Sequence, residues 1–504
     1  MLTSVMAGFV AAALLPWLRR LAGERATLLA ALVPFGLTLW FAGQFAAVTS
    51  GQALIADAPW LTGLDLHLAF RLDGLALLFA LLICGIGTLI VLYTKGYLHG
   101  HPDQHRFVMY TLMFMASMLG VVLADNIILL FIFWELTSFT SYLLIGFNHR
   151  EEASRKAALQ ALLVTGLGGL FLLAGLILAG QAAGTFSIAG LAAARDLLTA
   201  HPNYPVILGL VLVGAFTKSA QTPFHFWLPN AMQAPTPASA YLHSSTMVKA
   251  GVYLLARLHP ALGGTEAWLT LVTGFGALTL LTGAVLAAGQ VYLKRLLAYT
   301  TVAALGAMTM AIGLGTPAAM EAMVVFLLAH ACYKAALFLV AGTIDHETGE
   351  KNVTRLGGLF RAMPLTGCTA MVAAASMAGL PLAFGFIGKE LLYAAIFTRP
   401  VLLSITVIAG AFFLFVAYRV GVRPFFGAHQ QTPHAPHEAP WTMAAGPLVL
   451  AVATLAGGCM PGWTADALAS AAASASLGQA TAMHLHLWHG ITRELLASGL
   501  TVAL

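Results

Sequence analysis

The chain has 504 residues, 60% of them apolar and only 9% charged, with a mean hydropathy of +0.87 and a net charge of +5. Soluble domains carry about 25% charged residues, so this composition excludes a soluble globular protein and indicates an integral membrane protein. No basic patch with interleaved aromatics occurs, which argues against a nucleic-acid partner. The four cysteines, Cys84, Cys332, Cys368 and Cys459, are isolated from one another and read as small apolar packers rather than metal ligands or a disulfide framework.

A membrane span needs about 20 mainly apolar residues. The first run, Leu2 to Leu15 followed by Arg19 and Arg20, lacks a basic leading region and a clear cleavage site, and reads as a retained helix. Fourteen spans follow from the whole pattern, near 2–18, 26–48, 73–94, 107–124, 126–147, 157–182, 205–228, 236–258, 267–289, 294–314, 317–343, 365–398, 400–427 and 442–463. An Ala/Ser-rich stretch comes next. The last segment, from about His484 to Leu504, falls short of span length, so the chain reads as stopping in mid-helix. The fold class expected is an all-α polytopic membrane protein with about fourteen transmembrane helices and the start of a fifteenth.

Lys and Arg collect in cytoplasmic loops. With the N-terminus outside, the inside loops hold fifteen of them and the outside loops four: Arg71, Arg195, Arg257 and Arg399. A multi-pass protein of the bacterial inner membrane, N-terminus outside, is the orientation this implies.

Four of the eight lysines fall inside spans: Lys218, Lys249, Lys334 and Lys389. Glu135, in FIFWELTSF, is the only acidic side chain deep within a span. A charge at the bilayer centre costs at least about 2.5–3.5 kcal/mol, so intramembrane charges mark ion pathways or are paired. Lys389 lies near a helix end, where snorkelling is the alternative. Glu135 is the expected partner of a lysine, either in a static packing pair or in a switchable one that loads and unloads a proton. His243 precedes Lys249 by six residues, and His330 precedes Lys334 by four on the same helix face. A His–Lys pair repeated on two helices suits a proton relay, because imidazole titrates near neutrality. His225 reads equally as relay or packing.

Two spans carry a helix breaker beside a lysine. In GAFTKSAQTPFHFWLP, Pro223 follows Lys218; in AGLPLAFGFIGKE, Gly379 and Pro381 precede Lys389. Proline removes a helical hydrogen bond, and the freed carbonyls must be met by protein or by water in a cavity. Interrupted segments at corresponding places in two halves point to an inverted-repeat transporter. The breaks are five spans apart, which places spans 4–8 and 9–13 as two five-helix units of opposite orientation. The expected divisions are 1–106 for the first three helices, 107–258 and 267–427 for the two repeats, and 442–504 for the remainder.

The segments FWELTSFTSYLLIGF, FTKSAQTPFHFWLPNAMQAPTPASAYLHSSTMVKAGVYLL, LKRLLAYTTVAALG and HACYKAALFLVAGTIDHETG resemble the proton-pumping antiporter-like subunits of respiratory complex I and of Mrp-type sodium/proton antiporters. The likeness covers spans 3 to 13. His225 and Asn230, and the stretch after Glu135, make it most similar to the MrpA family of large Mrp subunits; Tyr292 departs from the Asp that many relatives carry before LKR. The resemblance implies a proton-translocating subunit of a multisubunit Na+/H+ antiporter, working with other Mrp-type membrane subunits in the lipid bilayer and without a cofactor of its own. It implies a proton path through Glu135, Lys218, His225, His243, Lys249, His330, Lys334 and Lys389, with no catalytic residue and no assigned metal site. A proton-pumping subunit of a complex I-like or hydrogenase assembly, and a membrane subunit of a CO2 or bicarbonate uptake system, are the competing readings.

Overall fold

A computed structural model describes residues 1–61, 66–488 and 490–504. Apolar runs bounded by caps become helices in the expected order. They are α1 (Leu2–Ala22), α2 (Ala26–Gly43), α3 (Gly74–Tyr97), α4 (Gln104–Leu123), α5 (Ile127–Ile145), α6 (Glu152–Ala183) and α7 (Tyr204–Lys218). The eighth span is split into α8 (Thr236–Ser244) and α9 (Ala250–Leu262). Next come α10 (Glu266–Ala288), α11 (Leu293–Leu314) and α12 (Pro317–Thr348). The twelfth span is split into α13 (Pro364–Met377) and α14 (Phe384–Ile396), and α15 (Pro400–Ala417), α16 (Trp441–Cys459), α17 (Asp466–Leu477) and α18 (Arg493–Ala503) close the chain.

Among the described residues, ten helical stretches are long and apolar enough to cross a membrane, one of them the α1–α2 pair joined by a single 3-10 turn. Asp73, Asn126, Thr265 and Thr316 cap α3, α5, α10 and α12 by accepting from the backbone N–H groups of the first turn. Gly184, Gly315 and Gly349, all left-handed, end α6, α11 and α12. In α10, Gly276 lets α11 approach so closely that a Cβ there would collide with the Met310 nitrogen, the small-residue packing that joins helices in lipid. α11 and α12 are the most enclosed spans, while α15 faces outward over most of its surface.

Three features were not anticipated. The segment between α2 and α3 forms two short antiparallel ladders, β1 (Leu54–Ala56) with β4 (Phe70–Leu72) and β2 (Pro59–Leu61) with β3 (Leu66–His67). The Ala/Ser-rich stretch is the helix α17, whose small side chains Ala469, Ala472 and Ala473 are buried against α3 and α12. The eighth span is broken as well as the seventh and twelfth.

The two anticipated breaks share one pattern. Residues 219–223 and 378–382 each make two successive turns between helical pieces. Each contains one of the two non-glycine residues with positive φ among the described residues, Ala220 (φ 47°) and Leu382 (φ 70°). Such backbone is held only where its surroundings over-determine it.

Candidate functional site

Lys218 ends α7 and is fully buried. The backbone groups freed by the following break find side chains. Trp227 Nε1 donates to the Thr217 carbonyl at 2.9 Å, and Thr222 N donates to Thr279 Oγ1 at 2.9 Å. The Lys218 ammonium reaches α5, donating to Ser138 Oγ at 2.7 Å and to the Trp134 carbonyl at 3.0 Å, with the Trp134 ring 5.0 Å away.

Glu135 sits on the same turn of α5, partly buried and pressed against α6, where a Cβ on Gly169 would collide with its Oε1. Among the described residues, no ion pair joins it to Lys218, and Glu135 Oε1 has no hydrogen-bond partner. Lys218 is parked on a hydroxyl and a carbonyl beside its expected partner. His225 lies past the break in a 3-10 turn, half-buried, and its Nδ1 has no hydrogen-bond partner among the described residues.

The unanticipated break falls at Ser245–Thr246, between α8 and α9. The carbonyl of Ser244 that it frees accepts from Lys249 Nζ. Ser219, in the first break, stitches the two breaks together: its Oγ donates to the Val248 carbonyl at 2.6 Å and accepts from Val252 N at 3.1 Å. Thr246 Oγ1 donates to the Tyr241 carbonyl at 2.6 Å. No proline marks this break. The signal available was the run Ser244-Ser245-Thr246, whose hydroxyls compete for backbone groups.

His243, Lys249, His330 and Lys334 are all fully buried. Among the described residues, no hydrogen bond within the distance limits reaches the ring nitrogens of either histidine. The His330 ring lies 5.3 Å from that of Tyr333. Lys334 Nζ donates to Thr300 Oγ1 at 2.7 Å and approaches Met377 Sδ at 3.6 Å, at the edge of the second break. Beyond it, partly buried Lys389 donates to the Gly379 carbonyl at 2.8 Å. Gly379 has φ 66°, and a Cβ there would meet the Lys389 side chain at 2.8 Å. The second break thus turns a carbonyl toward Lys389, as the break in the eighth span does for Lys249. Ser138 and Thr300, which hold Lys218 and Lys334, were not singled out from the sequence.

Arg257, read as an outside-loop charge, lies in α9 and forms a two-pronged ion pair with Asp73, at 2.5 and 2.8 Å. Its Nε also donates to Tyr253 OH at 3.1 Å. Burial alone would raise the Asp73 carboxyl, but the Arg257 guanidinium, together with the Ala76 N–H and Arg71, outweighs it and holds it down at about 2.

The family described as NADH:quinone oxidoreductase/Mrp antiporter, TM, matches residues 124–418, and that described as NADH-ubiquinone oxidoreductase (complex I), chain 5 N-terminus, matches residues 60–108. A probable K(+)/H(+) antiporter A/B subunit of Rhizobium meliloti is 46% identical over 93% of this chain and 47% of its own length. The A-type subunit of a Na(+)/H(+) antiporter of Alkalihalophilus pseudofirmus is 39% identical over 97% of this chain and 65% of its own. A chain in the structure of an Mrp complex from Dietzia sp. superposes with a TM-score of 0.90 at 35% identity, over 99% of this chain and 54% of that one. The chain therefore spans between about half and two thirds of the length of these relatives. With the buried lysine row and the family match over its central helices, this multi-pass membrane chain belongs to the NADH:quinone oxidoreductase/Mrp antiporter transmembrane family.

Proposed function

We propose that the chain is the proton-translocating part of an MrpA-type component of a multisubunit monovalent cation/proton antiporter. The observation that carries this reading is the row of membrane-buried amines and imidazoles which, among the described residues, hydrogen-bond to a hydroxyl or a carbonyl or make no hydrogen bond. A static structural role would call for paired charges, because an unpaired buried charge is strongly destabilising. Groups held weakly and in series suit proton transfer. The path runs from Glu135 and Lys218, past His225, through His243, Lys249, His330 and Lys334, to Lys389.

Residues 107–258 and 267–427 act as two inverted five-helix units, supported by the shared break pattern and by the strained Ala220 and Leu382. The chain is part of a transporter, with no chemical step of its own. It works with other membrane subunits, as a chain of the Mrp complex it resembles does. The excess of Lys and Arg on alternate loops supports the bacterial inner membrane with the N-terminus outside. The cation is Na+, in keeping with the name of the Alkalihalophilus relative; the Rhizobium name supplies K+ as the one to compare.

The test is dissipation of a pH gradient on addition of Na+ or K+ to inverted vesicles matched for assembled complex. Glu135→Gln and Lys218→Ala should each abolish exchange while the complex still forms, and the double variant should be no worse than either, as for residues that act as one unit. Near-normal exchange in Glu135→Gln would leave the pair a packing feature and the mechanism wrong.

A further inference from the structure

An open cavity of about 890 Å³ lies at the Lys/Arg-rich end of the bundle, with Tyr97, Pro235, Lys294, Ala341 and Asp345 among its walls. Hydroxyl groups lead from it into the membrane. Tyr97 OH lies 3.3 Å from Thr236 Oγ1, at the first turn of α8. One turn back along α3, Tyr93 OH lies 3.3 Å from Thr343 Oγ1 and donates to the Leu339 carbonyl at 3.0 Å. The two hydroxyl pairs meet at Gly342 of α12, where a Cβ would lie 2.5 Å from Thr236 Cγ2 and 2.8 Å from Tyr93 OH. A side chain at Gly342 would close this spot.

Below Thr236, α8 continues the line. Ser239 and His243 follow at three and seven residues, the spacing of one helix face. At 1.5 Å rise per residue, His243 lies about 10 Å deeper than Thr236. Thr236, Ser239 and His243 are all fully buried. Ser239 Oγ and both ring nitrogens of His243 have no hydrogen-bond partner among the described residues. Buried polar atoms are satisfied in about 90% or more of cases, so three orphans in succession on one face call for an explanation.

We propose that Tyr97, Thr236 and Ser239 form a hydroxyl-lined inlet that delivers protons from the cavity to His243. The inference rests on the transport reading above and adds where protons enter the row. A proton arriving at the cavity end binds a lone pair of the first oxygen, which releases its own proton to the next. Each hydroxyl keeps one proton and ends with its O–H turned around, and a His243 ring nitrogen gains the proton to give imidazolium. The line offers too few oxygens at any point to replace the hydration shell of a metal cation, so it passes protons alone.

The experiment uses the full-length protein in its assembled complex in inverted vesicles, with exchange measured in H2O and D2O. Ser239→Ala and Thr236→Val each remove one hydroxyl at little change of volume. Each should slow exchange by at least about tenfold, toward the roughly 10²–10⁴-fold of a lost proton-transfer group, and enlarge the solvent isotope effect. The cation concentration for half-maximal rate should not move. Thr236→Ser, which returns the hydroxyl, should recover most of the rate, and Tyr97→Phe should behave like Ser239→Ala. Parental rate and isotope effect in Ser239→Ala, Thr236→Val and Tyr97→Phe, with Glu135→Gln inactive, would overturn the inlet and leave the transport reading standing. Parental rates in Glu135→Gln as well would bring down the transport reading, and the inlet with it.

Discussion

Ser138 is the residue on which the switching of Lys218 can be weighed. The ammonium has two directional contacts, Ser138 Oγ at 2.7 Å and the Trp134 carbonyl at 3.0 Å, while Glu135, three residues before Ser138, keeps an unpartnered oxygen. Ser138→Ala removes the first contact and leaves the second. A hydrogen bond from a charged donor is worth about 1.5–3 kcal/mol, so the parked arrangement loses about tenfold to a hundredfold relative to pairing with Glu135. If the cycle requires Lys218 to leave the carboxylate, exchange should fall by a comparable factor with assembly intact. Ser138→Thr keeps the hydroxyl and should retain most of the rate. The assay is cation-driven collapse of the pH gradient in vesicles matched for assembled complex. An unchanged rate in Ser138→Ala across the pH range would mean that parking on Ser138 plays no part in transport, and that the hydrogen bond is packing alone.

Lys389 donates to the Gly379 carbonyl, and if it releases protons there, Lys389→Arg should be inactive, because guanidinium does not deprotonate in proteins; an active variant would return this residue to snorkelling. The Asp73 and Arg257 side chains keep only 13% and 10% of their exposure, so Asp73→Asn should destabilise the protein by about 3–5 kcal/mol, read as a fall in unfolding temperature in detergent. The folded carboxyl sits at about 2 against 3.8 when free, so its contribution is complete above about pH 4 and is lost only as pH falls through about 2. The deficit of Asp73→Asn should therefore be the same at every pH from about 6 to 9, and one that changes across that window would contradict the assignment.

The order of the helices, the two proline-marked breaks and the identity of the buried lysines were legible in the residues because each has a local cause. An apolar run of span length has no other stable place, a proline removes a backbone donor wherever it stands, and a lysine in such a run is conspicuous by chemistry alone. The break at Ser245–Thr246 has no such marker. It exists because Ser219, from another span, and Lys249 satisfy the backbone groups it exposes, and those partners come together only in the packed bundle. The same holds for what each charge rests on. Glu135 was the expected partner of Lys218, yet the ammonium is held by a hydroxyl and a carbonyl one turn of α5 around it. Arg257 looked like a loop charge until folding brought it to Asp73, 184 residues away. Residue chemistry along the chain thus set which charges enter the membrane and where two of the helices must open. Packing chose the atoms those charges touch, because a buried ammonium or guanidinium takes its partners from neighbouring helices, and the fit of helix against helix, not chain order, sets which neighbours lie within hydrogen-bond reach.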